Sequence, residues 1–222
     1  MTFPFLDELL DGALMTVELT LLSAVFGFIL ALVAGTAMLS RIGVLRVIAR
    51  TYTEVFRGAS EVVILYVFVF GLPIWLGLDL GVFVPAVVAL SLNIGGYMAE
   101  VVRGAVQAVP HGQTEAAVAL NMSPTLRLRR IIVPQAMVNM LPPINVLTVQ
   151  LLKASALVSI IGLQDLTAAA NGAVENTGNY ARYYGEALIA YYIIATIINR
   201  LFRLTERGAR RGRGDLGVAA AR

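Results

Sequence analysis

The residues that could do chemistry in this chain are few and concentrated. There is one histidine, His111, and no cysteine in 222 residues. A metal site would need several carboxylates around that imidazole, and only Glu115 follows within a few positions. His111 therefore reads as an exposed loop residue, and no metal ligand is expected. Thiolate nucleophiles and disulfides are excluded, and no Gly-Lys-Ser or Gly-Lys-Thr phosphate cradle occurs. What remains is a set of polar side chains in an apolar run, Ile131 to Leu152: Asn139, Asn145, Thr148 and Gln150, followed by Lys153 and Ser155. Inside a membrane such groups are expensive, about 2.5–3.5 kcal/mol for a charge at mid-helix. They point to passage of a polar solute or to hydrogen bonds between helices, and Lys153 can also snorkel to headgroups. Pro142 and Pro143 in the same run free backbone carbonyls that could face a cavity.

The elements that must hold these residues are set by composition. Charged residues are 14% and hydrophobic residues 58%, with a mean hydropathy of +0.79; an ordinary soluble domain has about 25% charged residues. That excludes a water-soluble globule and a disordered chain. A span needs about 20 apolar residues. Leu19–Leu39, Val62–Leu78, Leu80–Ala99 and Ile131–Leu152 qualify, and Ala187–Asn199 makes a fifth, extended by Tyr183, Tyr184 and Phe202. Ala154–Gln164 is too short to cross and reads as re-entrant or interfacial. The fold class expected is an all-α membrane protein with five transmembrane helices. No internal repeat is visible.

Orientation follows from the basic residues. Arg41, Arg46, Arg50 and Arg57 fall after the first span. Arg103, Arg127, Arg129 and Arg130 fall after the third, and Arg200, Arg203, Arg207, Arg210, Arg211, Arg213 and Arg222 after the fifth. Only Lys153 and Arg182 of the 17 lie towards the other side. The segregation predicts an outer N-terminus and a cytoplasmic C-terminus. It also accounts for the pI near 9.4 without nucleic acid. Asp7, Glu8 and Asp11 sit where a cleavable signal would be basic, so none is expected. The organisation expected is residues 1–11 outside, 12–204 as one membrane bundle, and 205–222 as a disordered basic tail that frays or lies on lipid.

The stretch from Arg103 to Arg130 is long for a loop and strongly patterned. Pro110 and Gly112 end the preceding helix. Thr114 is placed to cap a short helix from Glu115, whose carboxylate would meet the positive end of the dipole. Ala116, Ala117 and Ala119 give it a small face. Asn121 sits where a left-handed residue is wanted. Ser123-Pro124 reads as the cap and first residue of a second short helix. Glu100 and Arg103, three apart, can pair at the membrane edge. Glu61 faces either the pathway or the interface.

Glu115-Ala116-Ala117, then Asn121, Ile131 and Pro134, resemble the EAA loop of ABC-importer permeases. That family has Gly where this chain has Asn121 and Leu where it has Val133. Tyr97 to Ala117, Arg57-Gly58, Phe70-Gly71-Leu72-Pro73, Leu141-Pro142-Pro143 with Asn145, and Leu152-Lys153 through Ile161-Gly162-Leu163 are similar to the polar amino-acid uptake subfamily. The resemblance covers roughly residues 12 to 204. It implies a permease of the bacterial inner membrane with no catalytic residues and no cofactor of its own. ATP and Mg would be bound by separate ATPase subunits. A second permease chain, identical or related, and an extracytoplasmic binding protein would complete the machine. It further implies that Glu115, Ala116, Ala117, Leu120, Asn121 and Pro134 form the coupling helix docking on the ATPase; packing on the chain's own bundle is the alternative for Ala117 and Leu120, and local capping for Glu115. Relatives often read Lys-Asp-Thr-Ser-Leu where this chain has Lys153-Ala154-Ser155-Ala156-Leu157, and Arg-Gly-Thr-Pro where it has Arg57-Gly58-Ala59-Ser60. The lost carboxylate favours a zwitterionic amino acid, or a derived compatible solute such as ectoine, over a cation such as arginine. An ion-coupled secondary transporter is the competing class, but usually brings more spans and paired repeats.

Overall fold

A computed structural model describes residues 6–77 and 80–211. Ten α-helices follow in order: α1 Leu6–Met38, α2 Gly43–Gly58, α3 Glu61–Tyr66, α4 Leu72–Leu76, α5 Phe83–Gln107, α6 His111–Ala119, α7 Pro124–Arg127, α8 Val133–Ala154, α9 Leu166–Thr177 and α10 Tyr180–Arg211. Val67–Gly71 and Leu128–Ile132 are π turns, and Ser155–Ile161 is a 3₁₀ turn. Asp7–Met38, Phe83–Gln107, Pro124–Ile161 and Tyr180–Gly208 are each long and apolar enough to cross a bilayer. Gly43–Gly58 and Glu61–Leu76 qualify only when taken together, and they are bent by 105° at the break between them; counted as one broken span the pair brings the total to five.

The core is built where α1, α5 and α8 meet, with Leu19, Leu90, Ile94, Met98, Ala136 and Leu151 buried. Glycine permits the closest approach. A side chain at Gly35 would begin 2.7 Å from the Ala99 carbonyl oxygen, and one at Gly95 would begin 3.1 Å from that of Gly27. Dispersion between close backbones replaces a hydrophobic drive that is absent between lipid-embedded helices. Both π turns end two residues before a proline, Pro73 in α4 and Pro134 in α8. A proline ring clashes with the carbonyl four residues back, and widening the preceding turn relieves it.

Several expectations are corrected. The third span starts at Phe83, since residues 80–82 are irregular or turn. The fifth is a 32-residue helix, because Arg182 pairs with Glu186 at 3.0 Å one turn along and Arg200 and Arg203 stay helical. Ala154 ends α8, and Ser155–Ile161 tightens that same helix rather than re-entering. Residues 6–11 already belong to α1, and 205–211 to α10; residues 212–222 of the expected disordered tail, and 1–5, lie outside the described residues. Sequence reading missed α9. Its N-cap, Asp165, is fully buried and accepts the Ala168 amide at 2.9 Å, while the Leu166 amide donates to Thr16 Oγ1 at 3.1 Å. Burial pushes the Asp165 carboxyl above its ordinary range, against the lowering pull of the amide bonds.

Candidate functional site

The patterned loop folds largely by its own chemistry. Pro110 caps α6 with φ −56°, and the helix starts at His111, not at Glu115. Thr114 is therefore inside the helix, and Glu115 lies beyond the first turn, away from the positive dipole end. The C-terminus is as the sequence predicts. Asn121 has φ 55°, its amide donates to the Val118 carbonyl at 2.9 Å, and the Met122 amide donates to that of Ala117 at 3.0 Å. This is a Schellman closure, with the left-handed residue at C′. Ser123 then accepts the Leu126 amide at 3.4 Å and Pro124 opens α7. The second helix is not separate: 124–161 is one continuous span. The Gln135 amide on α8 donates to Gln113 on α6 at 3.5 Å, so the loop helix is linked sideways to the span it precedes.

The C-terminal end of α6 presents two exposed apolar side chains. Val118 is 55% and Leu120 76% exposed, and Glu115, Ala116, Ala119, Asn121 and Pro134 are also exposed. Ala117 is 1% exposed, packed within its own chain, so it cannot itself offer contact area to a partner. Its small size instead lets α6 lie close to the bundle. Behind α6 is a cavity of about 410 Å³ lined by Val106, Gln107, Val109, His111, Thr114 and Ile132. His111 is exposed, and no cluster of three or more metal-ligating side chains occurs among the described residues.

The six polar residues of the fourth span divide by face. Thr148 and Ser155 are buried, donating to the carbonyls of Ile144 at 2.8 Å and Leu152 at 2.7 Å. Asn145 donates to Asn199 of α10 at 2.8 Å, the interhelical bond that sequence left as an alternative. Asn139, Gln150 and Lys153 are exposed on the opposite side, in one stripe with Pro142 and Val146. Positions 139, 142, 146, 150 and 153 fall within about 80° at 3.6 residues per turn. Pro142 and Pro143 leave the carbonyls of Val138 and Asn139 without their helical donors beside this stripe.

A second polar group was only half legible. Glu100 does pair with Arg103, at 2.7 Å, and Arg103 reaches Gln107 at 2.8 Å. Arg57 of α2 joins from another helix, 3.9 Å from Glu100 and stacked 5.3 Å from the Tyr97 ring centre. The Tyr97 hydroxyl donates to the Arg57 carbonyl at 3.1 Å. The Arg57 contact spans 43 positions of sequence, which helical spacing cannot reveal. Glu61 is half-buried at the start of α3.

Residues 23–211, which include this loop and both polar faces, match the family described as binding-protein-dependent transport system inner membrane component. The chain belongs to that family. The permease is 40% identical to the probable amino-acid ABC transporter permease y4tF of Sinorhizobium fredii, over 95% of this chain and 90% of that one. It is 36% identical to the arginine transport permease ArtQ of Bacillus subtilis, over 93% and 94%. With the nopaline transport permease NocQ of Agrobacterium fabrum it shares 35%, over 93% and 92%. Among solved structures, an amino acid ABC transporter crystallised with histidines superposes with a TM-score of 0.83 at 33% identity, covering 93% of this chain and 99% of that one. The MetNI methionine transporter, at 0.80 and 21%, shares the fold. This chain is thus the membrane permease subunit of an amino-acid ABC importer, a transport component whose family is partnered by a separate ATPase and a binding protein.

Proposed function

We propose that the permease passes a zwitterionic polar amino acid, or a derived compatible solute such as ectoine, along the Asn139–Gln150–Lys153 face of α8. The observation that supports this is the make-up of that face: two amides and a cation, with no carboxylate anywhere on α8. A carboxylate-bearing zwitterion meets Lys153 favourably, and a cationic side chain meets it unfavourably. A second permease chain, identical or related, would close the other side of the path. The exposed Val118–Leu120 end of α6 docks on the ATPase, which holds ATP and Mg, while this chain binds neither. Rigid docking of α6 and its Gln113–Gln135 tie to α8 would pass ATPase closure to the solute face. The orientation this requires is N-terminus outside and C-terminus in the cytoplasm of a bacterial inner membrane.

The names of the arginine permease and of the structure with histidines favour a second reading, a cationic amino acid. Proteoliposomes holding permease, ATPase and binding protein distinguish the two. ATP-driven uptake of labelled glutamine or ectoine, with arginine competing poorly, is expected. Uptake confined to arginine, lysine and histidine would overturn the solute reading. Gradient-driven uptake without the ATPase would overturn the coupling reading and revive an ion-coupled transporter.

A further inference from the structure

We infer that α2 is an in-plane interfacial helix that holds anionic phospholipid headgroups of the cytoplasmic leaflet with Arg46 and Arg50, beside Arg41 at its entry. The inference rests on the membrane orientation proposed above, not on the solute.

The helix has three faces. At 3.6 residues per turn, Arg46, Arg50 and Arg57 fall within about 40° of one another. On the same count Val44, Ile48 and Val55 fall within about 40° of one another, roughly opposite the arginines. Tyr52, Thr53, Phe56 and Ala49 lie between them on one side and pack on the bundle. Thr53 and Ala49 are buried, the Tyr52 hydroxyl donates to the Leu92 carbonyl at 2.9 Å, and Asn93 donates to the Phe56 carbonyl at 2.8 Å. The valines and isoleucine have nothing over them: Val44 is 68%, Ile48 62% and Val55 55% exposed. A helix lying free in water would not present such a stripe opposite a row of arginines; a helix at a lipid boundary would.

Orientation is fixed by Arg57. Its guanidinium reaches to Glu100 at 3.9 Å, and Glu100 leads through Arg103 to the end of α5 that carries the coupling loop. The arginine face therefore looks to that end, and the Val44–Ile48–Val55 face looks to the bilayer interior. The axis agrees, because α2 meets Glu61–Leu76 at 105°, so if the latter crosses the membrane the former lies close to its plane. So does the depth. A side chain at Gly96 would sit 3.5 Å from Phe56 Cβ and the Thr53 carbonyl. Gly96 precedes Glu100 and Arg103 by four and seven residues, about 6–10 Å along α5 at 1.5 Å per residue. Interfacial helices bury their apolar face about 5–10 Å into the headgroup boundary.

The chemistry of the occupant follows. Arg41, Arg46 and Arg50 are exposed and form no ion pair among the described residues. Glu54 is the one acid on α2. Two unpaired guanidiniums on the headgroup side of α2, Arg46 and Arg50, with the exposed Arg41 two residues before the helix, complement phosphate-bearing anionic lipid.

The absence of cysteine makes the test clean. Spin labels at Ile48→Cys and, separately, Arg50→Cys are placed in the assembled transporter in bilayers of phosphatidylcholine with phosphatidylglycerol. The Ile48 label should be relaxed by oxygen and the Arg50 label by a water-soluble nickel chelate. Labels both shielded, as under an ATPase or a second copy, or both in water, would overturn the inference. Spin-labelled lipids then test the charge. The preference for phosphatidylglycerol over phosphatidylcholine should fall about fivefold for each arginine removed in Arg46→Gln and Arg46→Gln/Arg50→Gln. An unchanged preference would overturn it equally.

Discussion

Asn145 on α8 donates through Nδ2 to Asn199 Oδ1 on α10 at 2.8 Å, the one side-chain hydrogen bond joining these spans among the described residues. The Asn145 Oδ1 beside it is buried without a partner. An asparagine pair at this depth fixes the two helices in one register, because sliding either would strand both amides. The expected strength is modest, about 0.6 and at most about 1.7 kcal/mol, since unfolded spans also find partners in the membrane. Asn145→Leu and Asn199→Leu should each lower resistance to unfolding in mixed micelles, and the double variant should lose less than their sum. A double variant showing strict additivity would mean that the pair is not coupled.

The loop around α6 offers a contrast between two apolar residues three apart. Leu120 is 76% exposed and Ala117 is 1% exposed. Leu120→Asp should leave membrane insertion and thermal stability intact while reducing ATPase co-purification and ATP-driven uptake more than tenfold. Ala117→Asp should fail earlier, as a buried unpaired carboxylate that destabilises the permease itself. Co-purification of the ATPase at normal yield with Leu120→Asp would remove Leu120 from the docking surface.

What the sequence disclosed and what it withheld follow one physical division. Local signals were legible. Run lengths located the spans, Ser123-Pro124 announced a helix start, and Asn121 announced a left-handed stop, because each is decided by a few adjacent residues. The start at His111 was hidden because Gly112 reads as a breaker, although a glycine in a first turn costs only about 1 kcal/mol. The partition of α8 was hidden for another reason. In a span that is apolar all round, periodicity cannot separate a protein-facing side from a lipid- or pathway-facing one. Thus Thr148 and Gln150, two positions apart, looked equivalent until α5 and α10 were in place. Helix α9 is small-residue and polar, and is held by contacts to Thr16 and Tyr191 that are far away in sequence.

At Asn121 the backbone conformation itself can be tested. With φ at 55°, glycine should be accepted without loss, matching the residue that the family pattern carries there. Asn121→Val should cost about 1–2 kcal/mol through its Cβ in the left-handed region. If the Schellman turn sets how α6 is presented, Asn121→Val should lower uptake as well as melting temperature, while Asn121→Gly should change neither. Equal melting temperatures for the two variants would show that the turn is not held left-handed.

Asp165 gives the permease a pH signature. Its carboxyl is buried, accepts the Tyr191 hydroxyl at 3.2 Å and the Ala168 amide at 2.9 Å, and is raised above its ordinary value of 3.8 by burial. A carboxyl whose folded value lies above its unfolded value is charged more readily when unfolded. Below 3.8 it is neutral in both states, and folding carries no electrostatic penalty from it. As pH rises from there through the folded value, the unfolded state releases its proton first and stability is lost. Asp165→Asn keeps a side-chain oxygen for the Ala168 amide and removes the charge. Melting of wild type and Asp165→Asn, followed in parallel from pH 4 upward, should therefore diverge, with wild type losing stability relative to the variant. Above the folded value the gap should level off. A gap that closes with rising pH, or one that does not move, would mean that the ionised carboxylate is favoured by its amide and hydroxyl donors more than burial opposes it.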